Sequence, residues 1–130
     1  HNRIGFNYRM TNTQASMILN SLSNVEKNIS IRRENQDLYD SLIPARILMP
    51  KRDVPWVYDI YVDDNTIVDT LKENGIAARY GFKPVSTCAP FNSYTNKDNC
   101  EIYSKHIMYL PIMCSKDDVI KNVEKLQEVI

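Results

Sequence analysis

Apolar residues at Ala15, Ile18, Leu19, Leu22, Val25 and Ile29 keep to i, i+3, i+4, i+7 spacing, which predicts a helix with one buried stripe. The stripe resumes at Ile31 and continues through Leu38, Tyr39 and Leu42 to a stop at Pro44. A single helix of some thirty residues would be about 45 Å long at the standard rise. That exceeds the width of a small domain, so part of it is expected to reach toward a further domain or a second subunit. Thr11 with Gln14 three places later is a capping box and places the helix start just after Thr11. The polar positions Lys27, Arg32, Arg33 and Glu34 read as a solvated face.

Beyond Pro44 the pattern shortens. Pro44, Pro50 and Pro55 mark 44–55 as a connecting loop. Residues 56–62 are aromatic and β-branched and predict a strand, with Trp56 and the tyrosines placed in the core or on sheet faces. A short helix over 66–74 follows, with Ile67, Val68 and Leu71 as its stripe and Gly75 as its stop signal. A second strand is predicted at 76–82, giving strand, helix and strand over one sheet. Residues 83–99 form a long loop of the kind that often carries function. Asp98 with Glu101 caps a brief helix through His106, and Ser115 with Asp118 caps the last one, whose stripe is Val119, Ile120, Val123, Leu126 and Ile130. The fold class is α/β, a long N-terminal helix plus a small sheet covered by helices. Residues 1–43 hold the opening loop and connecting helix, and residues 44–130 the small domain.

Composition narrows the function. A chain of 130 residues is long enough to bury about two thirds of its unfolded surface. Its 16 basic and 16 acidic residues cancel, so neither nucleic acid nor an anionic membrane is an expected partner. No apolar run is long enough to span a bilayer. Cys88, Cys100 and Cys114 are odd in number and lack C-x-x-C spacing, which argues against a disulfide framework or a metal site and for free thiols in a reducing, cytoplasmic setting. His106 beside Lys105 and Ile107 reads as a surface or half-buried residue, not as half of a Cys/His pair.

Candidate chemistry begins at the first residues. Gly5 permits a tight turn, and Asn7 and Arg9 then point the same way along an extended segment. An amide and a guanidinium are donors and not bases, so the pair suits a phosphate or carboxylate at a helix entrance and suits proton transfer badly. The competing reading has Arg9 pairing with a carboxylate of its own fold and Asn7 shaping a turn.

The string Gly5-Phe6-Asn7-Tyr8-Arg9-Met10-Thr11-Asn12, with Gln14-Ala15, Arg32-Arg33-Glu34 and Tyr39 downstream, resembles the DegT/StrS family of pyridoxal-phosphate aminotransferases acting on nucleotide-linked keto sugars. Residues 79–87 stand where the perosamine-synthase-like branch has Arg-Pro-Phe-Phe-Tyr-Pro. Here the segment reads Arg79-Tyr80-Gly81-Phe82, without the histidine many members carry near Ser86. Leu110-Pro111 matches the family's Leu-Pro before its last helix.

The resemblance implies the small C-terminal domain of a fold-type-I aminotransferase. Its large domain, which holds pyridoxal phosphate on a lysine, is expected upstream of His1. No catalytic residue is then expected in this chain, and each lysine stands in a polar helix face, a loop or a helix end where an ammonium stays protonated. Asn7 would donate to the cofactor phosphate across a homodimer or toward a large-domain partner chain, with Arg9 close by. Arg79 would meet the diphosphate of a nucleotide sugar, and Ser86 and Thr87 its sugar oxygens. Two other classes stand beside this one: a noncatalytic nucleotide-sugar-binding module that keeps the small-domain fold, and a dimerisation element built on the long helix.

Overall fold

A computed structural model of the chain describes residues 9–84 and 99–130. Its elements are α1 (Asn12–Ser23), α2 (Val25–Leu42), a 3-10 turn (Ala45–Ile47), β1 (Tyr58–Tyr61), α3 (Ile67–Glu73), β2 (Arg79–Tyr80), α4 (Asn99–Ser104), β3 (Ile107–Leu110) and α5 (Lys116–Gln127). Together they make a small α/β domain with a long N-terminal helical arm and a small antiparallel sheet flanked by helices.

Both complete capping boxes form as the sequence predicts. Thr11 Oγ1 accepts from the Gln14 amide at 3.2 Å, while Gln14 Oε1 accepts from the Thr11 amide at 2.9 Å. Ser115 Oγ accepts from the Asp118 amide at 3.1 Å, and Asp118 reaches back to the Ser115 amide. The partner of Glu101 in the third predicted box, Asp98, lies outside the described residues.

The first helix differs from expectation in two ways: the stripe of α1 is not buried within this chain, Ile18, Leu19 and Leu22 being exposed, and the helix is interrupted. Asn24, at φ −109° and ψ 7°, separates α1 from α2. Its Nδ2 donates to the Asn20 carbonyl at 2.9 Å, and Ser21 and Ser23 hydroxyls donate to the Met17 and Asn20 carbonyls. Short polar side chains that bond nearby backbone compete with helical continuation, and this cluster of them ends α1.

The sheet is built around a strand that the hydrophobic pattern does not predict. β3 lies between β1 and β2 and is antiparallel to both, with Ile60 opposite Met108 and Arg79 opposite Tyr109. β1, α3 and β2 are therefore a split strand-helix-strand unit, parallel strands held apart by a third. Four consecutive apolar residues in β3 are too short a run to show a period, which is why the pattern is silent there. β2 shrinks from the expected 76–82 to two residues; Ile76 and Ala78 are buried ahead of it but pair with no strand among the described residues.

Alternation sorts the two faces. Tyr58 and Ile60 of β1 and Met108 and Leu110 of β3 meet Tyr39 of α2, Val68 and Leu71 of α3, and Val119, Val123 and Leu126 of α5 in one core. Tyr39 and Tyr58 stack with centroids 4.3 Å apart. Ile120, expected in the α5 stripe, is exposed, and Asn122 takes the buried position between Val119 and Val123. The polar face of α2 is not simply solvated either. Arg32 donates to the Pro55 carbonyl at 3.1 Å, Arg33 to the Asp53 carbonyl at 2.7 Å and Gln36 to the Arg52 carbonyl at 3.1 Å, and Glu34 pairs with Lys116. These donors satisfy the carbonyls of a loop that has no ladder of its own.

Two glycines are dictated by geometry. Gly75 takes φ +78° after α3; its amide donates to the Lys72 carbonyl and the next amide to the Leu71 carbonyl, a Schellman stop closed by buried Ile76 over Leu71. Gly81 continues the β2–β3 pairing, its amide 3.0 Å from the Ile107 carbonyl. A Cβ on Gly81 would stand 2.9 Å from that same carbonyl oxygen. Gly81→Ala is therefore expected to cost about 1–3 kcal/mol through backbone displacement, read by urea denaturation. A variant as stable as the parent would show that β2 can move away freely.

Candidate functional site

On the face of the sheet turned away from the core, Asp59, Tyr109 and Arg79 stand in one row across the three strands. Asp59 is buried and its carboxylate accepts from Arg52 Nη2 at 2.6 Å, so that charge is compensated. Phe82 sets its ring at 61° to Tyr109, with centroids 5.7 Å apart. Trp56 then lies nearly parallel to Phe82 at 6.0 Å. Both outer rings remain open to solvent, Trp56 at 65% and Phe82 at 68%. Large apolar rings left uncovered in an ordered stack call for an explanation other than folding.

Beside the stack is a cleft of about 230 Å³ whose walls include Arg32, Trp56, Arg79, Tyr109, Pro111 and Met113. Arg32 spends its guanidinium on the Pro55 and Trp56 carbonyls and so fixes the backbone that presents the indole. Arg79 pairs with no carboxylate among the described residues. Its neighbour is anchored from the other side: Tyr80 donates to Asp69 of α3 at 2.6 Å, and Lys72 lies 4.9 Å over the Tyr80 ring. The bond holds the Asp69 carboxyl below its usual range and pushes the Tyr80 phenol up. β2 is thus tied to α3 on one face and presents Arg79 on the other.

A larger hollow of about 470 Å³ lies at the other end of β1, with Arg46, Tyr61, Asp63 and Asp64 in its walls. Asp64 is occupied as a turn acceptor from the Thr66 amide at 2.9 Å. His106 stacks on Tyr61 at 5.0 Å, and its Nδ1 lies 2.9 Å from the Val62 carbonyl, so it ties the turn ahead of β3 to the end of β1. Neither described thiol reaches it: Cys100 is exposed, and the Cys114 thiol donates to the Pro111 carbonyl, its pKa pushed up by burial. Among the described residues no group of three His, Cys, Asp or Glu side chains could hold a metal, and no helix is long and apolar enough to cross a membrane.

Of the residues singled out in the sequence, Asn7, Ser86 and Thr87 lie outside the described residues. Arg9 is exposed just ahead of the Thr11 cap, at the entrance of a helix whose first turn carries no carboxylate. Arg79 lies in the cleft, and Arg9 does not line it. The described lysines stand at the surface, apart from half-buried Lys125, which bonds Glu128 at 2.8 Å. Sequence reasoning missed Trp56, Phe82 and Tyr109 as site residues. Tyr58, Ile60 and Val62 alternate inward, which extrapolates Trp56 to the core, but the strand begins only at Tyr58 and the indole turns out.

The model of the DegT/DnrJ/EryC1/StrS aminotransferase family matches residues 1–127. No curated protein matches the chain. Among solved structures, the chain is similar to PseC of Helicobacter pylori, an aminotransferase involved in the biosynthesis of pseudoaminic acid. The two are 17% identical with a TM-score of 0.77, over 97% of this chain and 39% of that one. That likeness is one of fold, and the chain spans about two fifths of that structure's length.

Proposed function

Since the chain belongs to the DegT/DnrJ/EryC1/StrS aminotransferase family, we propose that it is the C-terminal portion of a pyridoxal-phosphate enzyme that passes an amino group, from glutamate, to a nucleotide-linked keto-deoxysugar. The perosamine-synthase-like branch is the one its 79–84 segment favours. The observation that carries the reading is the family match over nearly the whole chain, together with an arginine of that segment, Arg79, set open in a cleft.

In this reading residues 1–43 are the active-site loop and connecting helix, residues 44–130 are the small domain, and a large domain bears the cofactor lysine. Pyridoxal phosphate supplies the electron sink when bound. The donor set here fits its phosphate and not its covalent attachment. Asn7 and Arg9 are a neutral and a cationic donor just ahead of a capped helix N-terminus, whereas the described lysines stand at the surface, apart from half-buried Lys125, which bonds Glu128. Arg79 meets the diphosphate, and the Ser86 and Thr87 hydroxyls bond sugar oxygens. α1, which contains no buried residue and exposes Met17, Leu19 and Leu22, packs against the large domain or a second copy.

The test uses the chain joined to its lysine-bearing domain. Asn7→Ala is expected to weaken cofactor retention by about 1–3 kcal/mol, the loss of a bond to a charged group. Equilibrium dialysis of the cofactor reads it, and unchanged affinity removes Asn7 from the site. Amino transfer to no nucleotide-linked keto sugar would replace the reading with a noncatalytic binding module.

A further inference from the structure

We propose that the open Trp56 ring, backed by Phe82 and flanked by Arg79, is the docking site for the base and diphosphate of a nucleoside diphosphate. The inference rests on the nucleotide-sugar reading above and adds the side chains that hold the nucleotide. Planar heteroaromatic rings stack on aromatic side chains whatever their sequence identity, and the indole is the largest such platform. Trp56 is held ready for that role in three ways. Its backbone carbonyl and that of Pro55 are fixed by Arg32. Its inner side is supported by Phe82 at a 15° interplanar angle, and Phe82 is in turn braced edge-on by Tyr109. Its other surface faces water, as the 65% exposure requires.

Charge favours the same occupant. Arg32 and Arg79 both line the cleft beside the indole, and no described carboxylate does. Arg32 is committed to backbone carbonyls, which leaves Arg79 as the fork for a phosphate. Its register partner Tyr109 is the residue that braces Phe82, so the cation and the stack are aligned on one strand pair. A base on the indole with its diphosphate toward Arg79 uses both features, whereas a bare sugar phosphate uses one.

The chain contains a single tryptophan, so the proposed platform is its own reporter. The chain is titrated with uridine diphosphate and guanosine diphosphate while tryptophan emission is followed, with inorganic pyrophosphate and glucose 1-phosphate as controls. Saturable quenching by the two nucleotides and none by the controls is expected. By calorimetry, Trp56→Ala is expected to bind either nucleotide at least tenfold more weakly, with Trp56→Phe near the parent. Arg79→Ala is expected to weaken binding while keeping the full quench at saturation. Because Trp56 is mostly exposed, its replacement leaves the core intact. Nucleotide binding with unmoved emission and an unaffected Trp56→Ala variant overturns the stack and leaves the aminotransferase reading standing. Equal quenching by glucose 1-phosphate, or no nucleotide binding at all, also overturns it. Quenching that persists while the chain joined to its large domain transfers no amino group sinks the aminotransferase reading and keeps the stack.

Discussion

Tyr39→Ala is expected to lose about 3–5 kcal/mol of stability from the ring alone, the usual cost of emptying a buried aromatic position. Tyr39 is fully buried on α2 and stacks on Tyr58 of β1. Its hydroxyl also donates to the Pro111 carbonyl at 2.9 Å and accepts from Asn122 Nδ2 of α5 at 2.8 Å. Truncation leaves the Asn122 amide buried without that partner, which adds about 1–3 kcal/mol, and leaves the Pro111 carbonyl with the weak Cys114 thiol as its side-chain donor. Against a total of about 5–15 kcal/mol, the variant should be largely unfolded at ambient temperature. Tyr39→Phe keeps the ring and should fall between, so the pair separates packing from hydrogen bonding in urea denaturation. A Tyr39→Ala chain within about 1 kcal/mol of the parent would mean that α2 is not part of the core.

The same residue sets an alkaline limit. Burial pushes the Tyr39 phenol well above its ordinary value, and burial together with the bond to Asp40 does the same to Tyr58. A pKa raised on folding gives stability that is whole below the unfolded value, about 10 for tyrosine, and is lost as pH rises beyond it toward the folded value. Stability of the parent should therefore fall above that pH, and Tyr39→Phe should flatten part of the fall.

What the sequence announces and what it conceals divide along the range of the interaction. The Thr11–Gln14 and Ser115–Asp118 boxes and the Gly75 stop are complete within a few residues, so they are legible in the chain and present in the fold. β3 is not, because its identity as the central strand lies in partners some fifty and thirty residues away, in β1 and β2, and its own four residues show no alternation. Asn24 breaks the helix through bonds that are local, yet the apolar stripe runs straight across it and masks the signal. Arg79 can be suspected from its segment, but its companions cannot. Trp56 joins it only because Arg32 holds the 55–56 backbone and β2 lies across Tyr109 from β1. The face of α2 that looked solvated is for the same reason a set of carbonyl donors: a helix shows its polar residues in sequence, but not the loop they will satisfy.

Asn35 carries that lesson to its largest consequence. It is almost fully buried on α2, and its Nδ2 donates to the Ile112 carbonyl at 2.8 Å and the Cys114 carbonyl at 2.9 Å, clasping the turn between β3 and α5. That turn begins at Pro111, which Tyr39 holds, and it contributes Pro111 and Met113 to the cleft beside Trp56. Asn35→Ala is expected to cost about 2–4 kcal/mol, two hydrogen bonds plus the burial of orphaned acceptors. Asn35→Asp should be worse although it keeps the size, because it turns a two-proton donor into a buried anion facing two carbonyl oxygens. Size alone predicts the opposite order, with aspartate mild and alanine severe. Thermal unfolding at pH 7 of the two variants decides between these accounts, and an aspartate variant as stable as the parent would show that the turn is held by packing. If donation is what holds it, both variants should also weaken nucleotide binding to folded chain, since the wall that Met113 supplies loses its anchor.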